Sequence, residues 1–537
     1  MFLRLVASIA GALGAYALYT ILKLVYREFS SPFRHFPGPK SSSFLYGSFA
    51  DIRKAESENN FLQEEWVQQY GPTIKYKAFF NLTRLYTTDT KALNHFLTNN
   101  YIYQKPEPTR YHLGRIVGPG VLVAEGDAHR QQRKIMNPAF GAPQIRELTG
   151  IFVEKSLELR DILAFKAADA GGVVRVDIMT WLNKATLDII GLAGFNYDFK
   201  ALASQNTEST ELGKAFATIF RDGATQSPLR LLRTFVPLLR LIPSQIDAPR
   251  KAAQANMMKI GRQLLQGSKN EMAEDGTFEK GRSRDLLSLL VRANTAKDIP
   301  ASQRLSEEDV LAQVPTFLVA GHETTSTGTT WALFALTQNI AAQTRLREEL
   351  LTVPTDNPTM DELNALPYLD CVVRETMRVH APVPATSRIA TQDDVVPLTT
   401  PFTDLKGTVH ETLRVKKGQT VTIPILVMNR DAGIWGPDAK EFKPERWESQ
   451  AISNSIPGVW GHMLSFLGGP RACIGYRFSL VETKALLFTL VRAFEFELAV
   501  PVSDIGRRTS VVTRPVVRSE PKSGHQLPLI IKPYVPS

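Results

Sequence analysis

A ten-residue segment near the C-terminus places a cysteine where its sulfur could serve as an anionic ligand. Residues 466–475 read FLGGPRACIG, so glycines surround Cys473, and residues 476–494 show the apolar periodicity of a helix. Backbone N–H groups and the positive end of the dipole at a helix N-terminus both stabilise a thiolate. Arg471 offers a fixed cation for a carboxylate on a bound partner, and Phe466 would cover the sulfur.

A second segment combines a carboxylate and a hydroxyl with very small neighbours. In the sequence AGHETT (320–325), Ala320 and Gly321 leave room for a small ligand, while Glu323 and Thr324 could pass protons through water. The surrounding threonines and Pro315 are poor helix formers, and such a local conflict is typical of functional sites. The alternative is a hydroxyl-rich helix whose threonines bond back to their own carbonyls.

Together these segments resemble two signatures of the cytochrome P450 family, namely F-x-x-G-x-R-x-C-x-G and [AG]-G-x-[DE]-T. The resemblance implies a haem-thiolate monooxygenase in which Cys473 is the axial ligand of haem b iron, an arrangement that favours cleavage of the O–O bond. It makes Glu323 and Thr324 catalytic residues that serve the activation of dioxygen. It also assigns these residues to cofactor binding: Phe466, Arg471, Gly475, Ala320 and Gly321.

Two further segments supply donors that the resemblance assigns to the haem propionates. Family members commonly carry W-x-x-x-R near the start of a helix, and this chain has His129 in place of the tryptophan, followed by Arg133. Histidine can still donate a hydrogen bond, so both residues are cofactor-binding candidates. Arg388, in the segment PVPATSR (382–388), is expected to reach a propionate together with Arg133 and Arg471.

A buried ion network is expected to serve structure rather than chemistry. Glu375 and Arg378 stand three residues apart on one predicted helix face, a pair that alone contributes about 0.2–0.5 kcal/mol. In the family such an E-x-x-R pair is joined by the arginine of a P-E-R-[FW] segment, here Arg446. Because a buried charge network tolerates no missing partner, we expect these residues to matter for folding and haem retention.

Length and composition favour one large domain in a reducing compartment. No long linker, low-complexity run or repeat divides the 537 residues, and 43% of them are hydrophobic, which is enough for a substantial core. The presence of only two cysteines argues against a disulfide framework, and Cys371 is expected to be an ordinary buried residue. The net charge of +10 fits a solvated basic surface, an anionic membrane face or an acidic protein partner, whereas no motif indicates nucleic acid.

The N-terminus predicts a membrane anchor. Residues 5–22 form an uncharged apolar run between Arg4 and Lys23 that is just long enough to span a bilayer. The rival interpretation is a cleaved secretory signal, but such signals have a shorter apolar part and would send the chain into an oxidising space. Prolines and a glycine in residues 32–39 end the helix and give a semi-rigid segment. We therefore expect an anchor over 1–26, a proline-rich hinge over 27–40 and a catalytic domain over 41–537.

Helical periodicity dominates beyond residue 50, and we expect a mainly α domain with small β-sheets. Ser306 and Asp309 predict the start of a long helix that carries Glu323 and ends at about Asn339. Residues 227–243 mix leucines with arginines, which suits either contact with lipid headgroups or a buried amphipathic helix. The remaining predictions are strands at 73–80, 82–87 and 421–427, a long loop at 101–123, a basic helix from 127 and a pocket-lining turn near 510–512.

The sequence as a whole indicates a membrane-anchored monooxygenase that inserts one atom of O2 into an apolar small molecule. It contains neither a flavin domain nor a nucleotide fingerprint, so electrons should come from NADPH through a separate reductase. The resemblance, strongest to basidiomycete members, implies the endoplasmic reticulum membrane, cytochrome P450 reductase and cytochrome b5 as partners, and secondary metabolism with a terpenoid-like substrate. Two alternatives stay open: a haem-thiolate isomerase or dehydratase, against which the Glu323–Thr324 pair speaks, and a non-catalytic haem-binding or ligand-binding protein.

Overall fold

The structure, a computed structural model, describes most of the chain. The described residues are 2–58, 60–204, 232–234, 236, 239–240, 247–274, 285–295, 300, 304–448 and 455–535. Most of the segment 227–243, for which lipid contact is predicted, lies outside the described residues.

Helices account for most of the regular structure. In chain order they are α1 (Phe2–Phe29), α2 (Phe49–Ser57), α3 (Leu62–Tyr70), α4 (Thr90–Thr98), α5 (Glu107–Val117), α6 (Gly126–Met136), α7 (Ala142–Asp169), α8 (Ile178–Phe195), α9 (Asp247–Glu274), α10 (Leu286–Thr295), α11 (Glu307–Gln338), α12 (Ile340–Leu351), α13 (Met360–Asn364), α14 (Pro367–Val379), α15 (Ile425–Asn429), α16 (Ala432–Trp435) and α17 (Tyr476–Ala493).

The strands form small sheets. In chain order they are β1 (Thr73–Lys77), β2 (Thr83–Thr87), β3 (Tyr103–Gln104), β4 (Val174–Asp177), β5 (Thr386–Ala390), β6 (Asp394–Thr403), β7 (Val409–Val415), β8 (Thr420–Ile423), β9 (Phe494–Leu498), β10 (Ile505–Thr509), β11 (Thr513–Val517) and β12 (Pro528–Pro533). The expectation of a mainly α fold with small sheets is confirmed.

One compact unit comprises residues 1–55, 60–104 and 385–424. Its larger sheet has the strand order β1-β2-β8-β5-β3 and is antiparallel apart from the β2–β8 pair. Its second sheet is the β6–β7 hairpin. Phe33 and Phe36 of the proline-rich segment are buried in the core of this unit, so burial of aromatic surface fixes the segment in place.

The last turn of α1 is tied to the same unit. Arg27 Nη1 donates a hydrogen bond to Gly418 O at 3.1 Å, and the Glu28 carboxylate accepts one from Thr83 N at 3.1 Å while pairing with Lys77. Within the described part of the chain, no helix is both long enough and apolar enough to cross a bilayer. The predicted anchor over 1–26 therefore stays a prediction.

The other compact unit comprises residues 56–59, 105–384 and 425–537. Its centre is α11, which packs against α8, α9, α14 and α17, and α17 in turn packs against α7. Ser306 caps α11 as predicted, because its Oγ accepts a hydrogen bond from Asp309 N at 3.0 Å. The sheets β4-β12-β9 and β10–β11 complete this unit.

Two predicted elements are wrong. The predicted loop at 101–123 contains the eleven-residue helix α5, whose Pro108 lies in the first turn, where a missing N–H costs nothing. The predicted strand at 421–427 ends at Ile423, because Pro424 cannot donate to a ladder, and residues 425–429 are helical. Strands β1 and β2 lie within their predicted ranges.

Candidate functional site

The cysteine segment folds into a tight loop. Cys473 N donates a hydrogen bond to Phe466 O at 2.9 Å, which closes the loop. A Cβ atom on Gly468 would lie 1.7 Å from Pro457 O, and Gly469 has a φ of +67°, so both positions require glycine. The loop leads directly into α17, as the sequence predicts.

The Cys473 sulfur is accessible although it lies deep in the protein. Its side chain has exposed surface, yet burial raises the pKa of the Cys473 thiol above its ordinary value, while the Gly475 N–H and the Arg133 cation act in the opposite direction. The Phe466 ring packs 6.1 Å from the ring of Tyr476, centroid to centroid. The second cysteine, Cys371, is buried as expected, and burial raises its pKa to about 11.

Two arginines lie at the cysteine loop, one on α6 and the other within the loop itself. Arg133 Nη1 donates to Ala472 O at 2.8 Å, beside Cys473, and its neighbour His129 is buried on the same helix, α6. Arg471 donates to Ala124 O at 2.6 Å and forms a buried ion pair with Glu125. The sequence predicts that Arg471 pairs with a carboxylate of the cofactor. The structure adds a second carboxylate partner, Glu125, from the chain itself.

The middle of α11 presents a small accessible face within a helix that is otherwise mostly buried. Ala320 is exposed, and Gly321 and Thr324 are half-buried, whereas residues 310–319 are all buried. The Thr324 hydroxyl donates to Ala320 O at 2.7 Å, which is the back-bonding that the alternative interpretation of this segment describes. A Cβ atom on Gly321 would lie 2.8 Å from Ile190 Cδ1, so this glycine also serves the packing of α11 on α8.

Glu323 is buried and paired with an arginine that the sequence analysis missed. Arg514, on β11, donates through Nε to Glu323 Oε2 at 3.1 Å and through Nη2 to the same oxygen. His322 Nδ1 lies 3.9 Å from Glu323 Oε1. Burial alone would raise the pKa of Glu323, but the charges of Arg514 and His322 and the hydrogen bonds from Arg514 lower it overall. A sequence signal was present, since Arg514 interrupts an otherwise uncharged strand.

The helices that carry the two motifs are joined by a hydrogen bond. Thr325 Oγ1, next to Thr324 on α11, donates to Ser479 Oγ on α17 at 3.1 Å. Glu482 lies one turn further along α17, fully buried, and neither of its carboxyl oxygens has a hydrogen-bond partner within the described residues. Burial raises the pKa of Glu482 well above its ordinary value, which the nearby Thr325 hydroxyl offsets only in part.

The predicted structural network is assembled around a fully buried carboxylate. Arg378 binds Glu375 through two parallel hydrogen bonds, from Nε to Oε2 at 2.8 Å and from Nη2 to Oε1 at 2.7 Å. Arg446 Nε lies 3.5 Å from Glu375 Oε1, and Trp447 Nε1 donates to Oε2 at 2.9 Å. The structure thus brings together all three residues that the sequence predicts for this network.

Arg388 belongs to the other compact unit. It is buried on β5, and its Nη1 donates to Thr386 Oγ1 at 3.1 Å and to Ser387 O at 2.9 Å. Its contact with a propionate stays a prediction.

The residues of the larger unit fit a thiolate-bound haem. The structure presents an accessible thiol deep in the protein, two cations beside its loop and a helix face of small residues on an adjoining helix. A soft sulfur donor suits iron, and the guanidinium groups suit carboxylates such as propionates.

The comparisons with known proteins agree with this fit. The cytochrome P450 family model matches residues 37–518. Cytochrome P450 monooxygenase 205 of Postia placenta is 53% identical over 527 residues, which cover 97% of this chain and 96% of the relative. Monooxygenase 128 of the same fungus is 52% identical, covering 98% and 97%.

A more distant relative covers a similar share of the chain. Cytochrome P450 monooxygenase claW of Ampulloclitocybe clavipes is 33% identical over 96% of this chain and 95% of the relative. Similarity at this level over almost the full length, together with the accessible thiol and its loop, leaves one conclusion: the chain belongs to the cytochrome P450 family and is a monooxygenase that uses a thiolate-ligated haem.

Proposed function

We propose that this monooxygenase hydroxylates an apolar small molecule with O2 and with electrons that a separate reductase takes from NADPH. The observation that carries the proposal is that an accessible Thr324 directly follows the buried Glu323 carboxylate on α11. Secondary metabolism is the proposed setting, with terpenoids as the substrate class to test first.

Residues of this chain would hold the cofactor in the following way. Haem b, when bound, supplies the iron at which dioxygen is reduced and split. Cys473 would supply the thiolate ligand to this iron, held by the loop that the Cys473 N–H closes onto Phe466 O. Arg133, His129 and Arg471 would donate to the propionates, and Arg471 would then share its guanidinium between a propionate and Glu125.

Proton transfer is the part of the reaction that we assign to Glu323 and Thr324. The Glu323 carboxylate can separate from Arg514, and the Thr324 hydroxyl can rotate away from the Ala320 carbonyl. Together the two groups form a relay for protons from solvent. Ala320 keeps the adjacent helix surface open. An enzyme that only rearranges a peroxide needs no such relay, which is why we prefer the monooxygenase among haem-thiolate reactions.

The outer face of α6 is the proposed docking surface for the reductase. Arg130 and Lys134 are exposed and stand four residues apart, while His129 and Arg133 of the same helix lie further inward. Basic side chains near the cysteine loop suit an acidic flavoprotein, and cytochrome b5 would use the same complementarity.

We also propose that α1 associates with the endoplasmic reticulum membrane and leaves the catalytic part in the cytosol. Several of its large apolar side chains are exposed, among them Tyr16 at 66% and Leu18 at 59%, and such surface favours contact with lipid. Removal of residues 1–26 should release the protein from microsomal membranes without loss of haem. A truncated protein that folds but lacks haem would contradict this role.

The experiment that tests the proposed function is reconstitution with reductase. The purified chain should oxidise NADPH in the presence of reductase, O2 and a candidate terpenoid, and product should contain one atom of labelled O2. Product from an organic peroxide but never from NADPH and O2 would instead establish the rearranging class.

A further inference from the structure

Arg514, on the β10–β11 hairpin, is the counter-ion of Glu323, the acid of the proposed proton relay. Glu323 and Arg514 are 8% and 5% exposed, and the two hydrogen bonds that join them both go to one carboxylate oxygen, Oε2. The Thr324 hydroxyl is bonded to Ala320 O at the same time. Both side chains of the proposed relay are therefore engaged with other groups, and Glu323 must leave Arg514, or take up a proton beside it, before it can serve Thr324.

The charged and titratable groups that face Glu323 come from three places. Arg514 lies on β11, His525 lies in the segment before β12, and His322 is its neighbour on α11. Burial lowers the pKa of His322, and burial with Arg514 and Arg508 lowers the pKa of His525 to about 4. Burial thus disfavours the charged form of both histidines, whereas Arg514 hydrogen-bonds the carboxylate directly, so Arg514 is the main cation that balances Glu323.

We propose that Arg514 is a positioning residue. It keeps the Glu323 carboxylate ionised and directed at β11 until a proton is transferred. The proposal rests on the relay role given to Glu323 above. Because the 510–512 turn joins β10 to β11 immediately before Arg514, a change in this hairpin would change when the acid becomes available. The sequence predicts that the same turn lines the substrate pocket, which would let substrate influence proton delivery.

The first test measures thermal unfolding of the purified haem protein against pH, and it does not depend on activity. In Arg514→Met, Glu323 stays buried without a cation, so its folded pKa rises above the unfolded value near 4.3. Stability from such a group falls as pH rises through this window. Relative to the double variant Glu323→Gln/Arg514→Met, the single variant should lose roughly 2 °C or more in Tm between pH 5 and 8. Parallel Tm curves for the two variants would overturn the pairing.

The second test measures product formed per NADPH across the same pH range. The unmodified enzyme should show a flat profile, whereas Arg514→Met should gain a titration step that disappears again in the double variant. Arg514→Lys, which keeps the charge, should return the profile towards that of the unmodified enzyme. An Arg514→Met profile without a new step would overturn the positioning role.

A control on the same hairpin separates this role from a general loss of charge. Arg508 is exposed and lies opposite Arg514 in the β10–β11 register, so Arg508→Met should leave the profile unchanged. If Glu323→Gln itself left the product yield unaltered, the proposed relay role of Glu323 would be wrong. The Tm comparison would still decide whether Arg514 holds the carboxylate. A new step in Arg508→Met would overturn the specific role of Arg514.

Discussion

Two buried glutamate–arginine pairs in the larger unit show how differently such a pair can be used. Glu375 and Arg378 are fully buried, both carboxylate oxygens are bonded, and Arg378 also donates to the carbonyls of Asn429 and Glu441. Within the described residues, the hydrogen bonds to the Glu323 carboxylate are on Oε2 alone, and Glu323 stands next to the accessible Thr324. A fully satisfied pair resists change and holds structure, whereas a partly satisfied pair can exchange partners and move a proton.

Glu482 extends the comparison to a carboxyl group without an ion pair. It is as buried as Glu375, but neither oxygen is hydrogen-bonded within the described residues. Burial raises the pKa of Glu482 well above its ordinary value, which favours the protonated, neutral form. The three acids therefore form a series from fully bonded to unbonded, and each position in the series predicts a different response to substitution.

The largest effect should come from breaking the satisfied pair. Arg378→Ala leaves the Glu375 charge buried with fewer partners and should cost about 3–5 kcal/mol of folding free energy. Urea unfolding and haem content after purification measure this loss. Arg374→Ala, four residues earlier on α14 at a partly exposed ion pair with Asp370, is the matched control and should cost about 1 kcal/mol or less. Equal losses in both variants would contradict the comparison.

Substitution of Glu482 should increase the stability of the protein, whereas Arg378→Ala decreases it. The folded pKa of Glu482 is raised, so the unmodified protein loses stability as pH rises above about 4.3, by at most about 1.4 kcal/mol per pH unit until the folded pKa is reached. Glu482→Gln removes this loss and should gain stability relative to the unmodified protein as pH rises from 5 to 8. Denaturant unfolding at several pH values measures the difference. A constant difference across this range would show that Glu482 is ionised in the folded protein.

Thr324→Ala should uncouple NADPH use from product without affecting the fold. The proton relay would lose its hydroxyl, and product per NADPH should fall roughly tenfold while hydrogen peroxide rises. Thr329→Ala is the control, because Thr329 makes the same kind of back-bond, to Thr325 O at 3.0 Å, but is fully buried. Peroxide and product yields measured together for both variants decide whether the effect belongs to Thr324.

The smallest effect should come from the protein surface. Reversal of charge at Arg130 and Lys134 should lower the rate at which the reductase reduces the enzyme by roughly a few-fold. It should also weaken the dependence of this rate on salt. Stopped-flow reduction at several ionic strengths measures both changes, with Lys532→Glu on β12 as an exposed control. An unaltered salt dependence would remove α6 from the docking surface.

Local chemistry made part of the site predictable from sequence. The Cys473 loop, the Ser306 cap and the Glu375–Arg378 pair depend on residues close together in the chain, and all three lie where they were expected. The partners Arg514 and Glu125 were missed because their contacts join residues far apart in the chain, which propensity and spacing do not encode. Helix α5 was missed because its proline and glycine were interpreted as loop residues.

The central claim is that Glu323 serves proton transfer while Glu375 serves structure, and one substitution made at each position tests it most directly. Glu323→Gln should retain full haem content and oxidise NADPH with reductase, yet give much less product and more hydrogen peroxide, whereas Glu375→Gln should lose haem and folded protein. The decisive measurement is product formed per NADPH in Glu323→Gln. A fall of roughly tenfold or more is the predicted result, and a yield equal to that of the unmodified enzyme would contradict it.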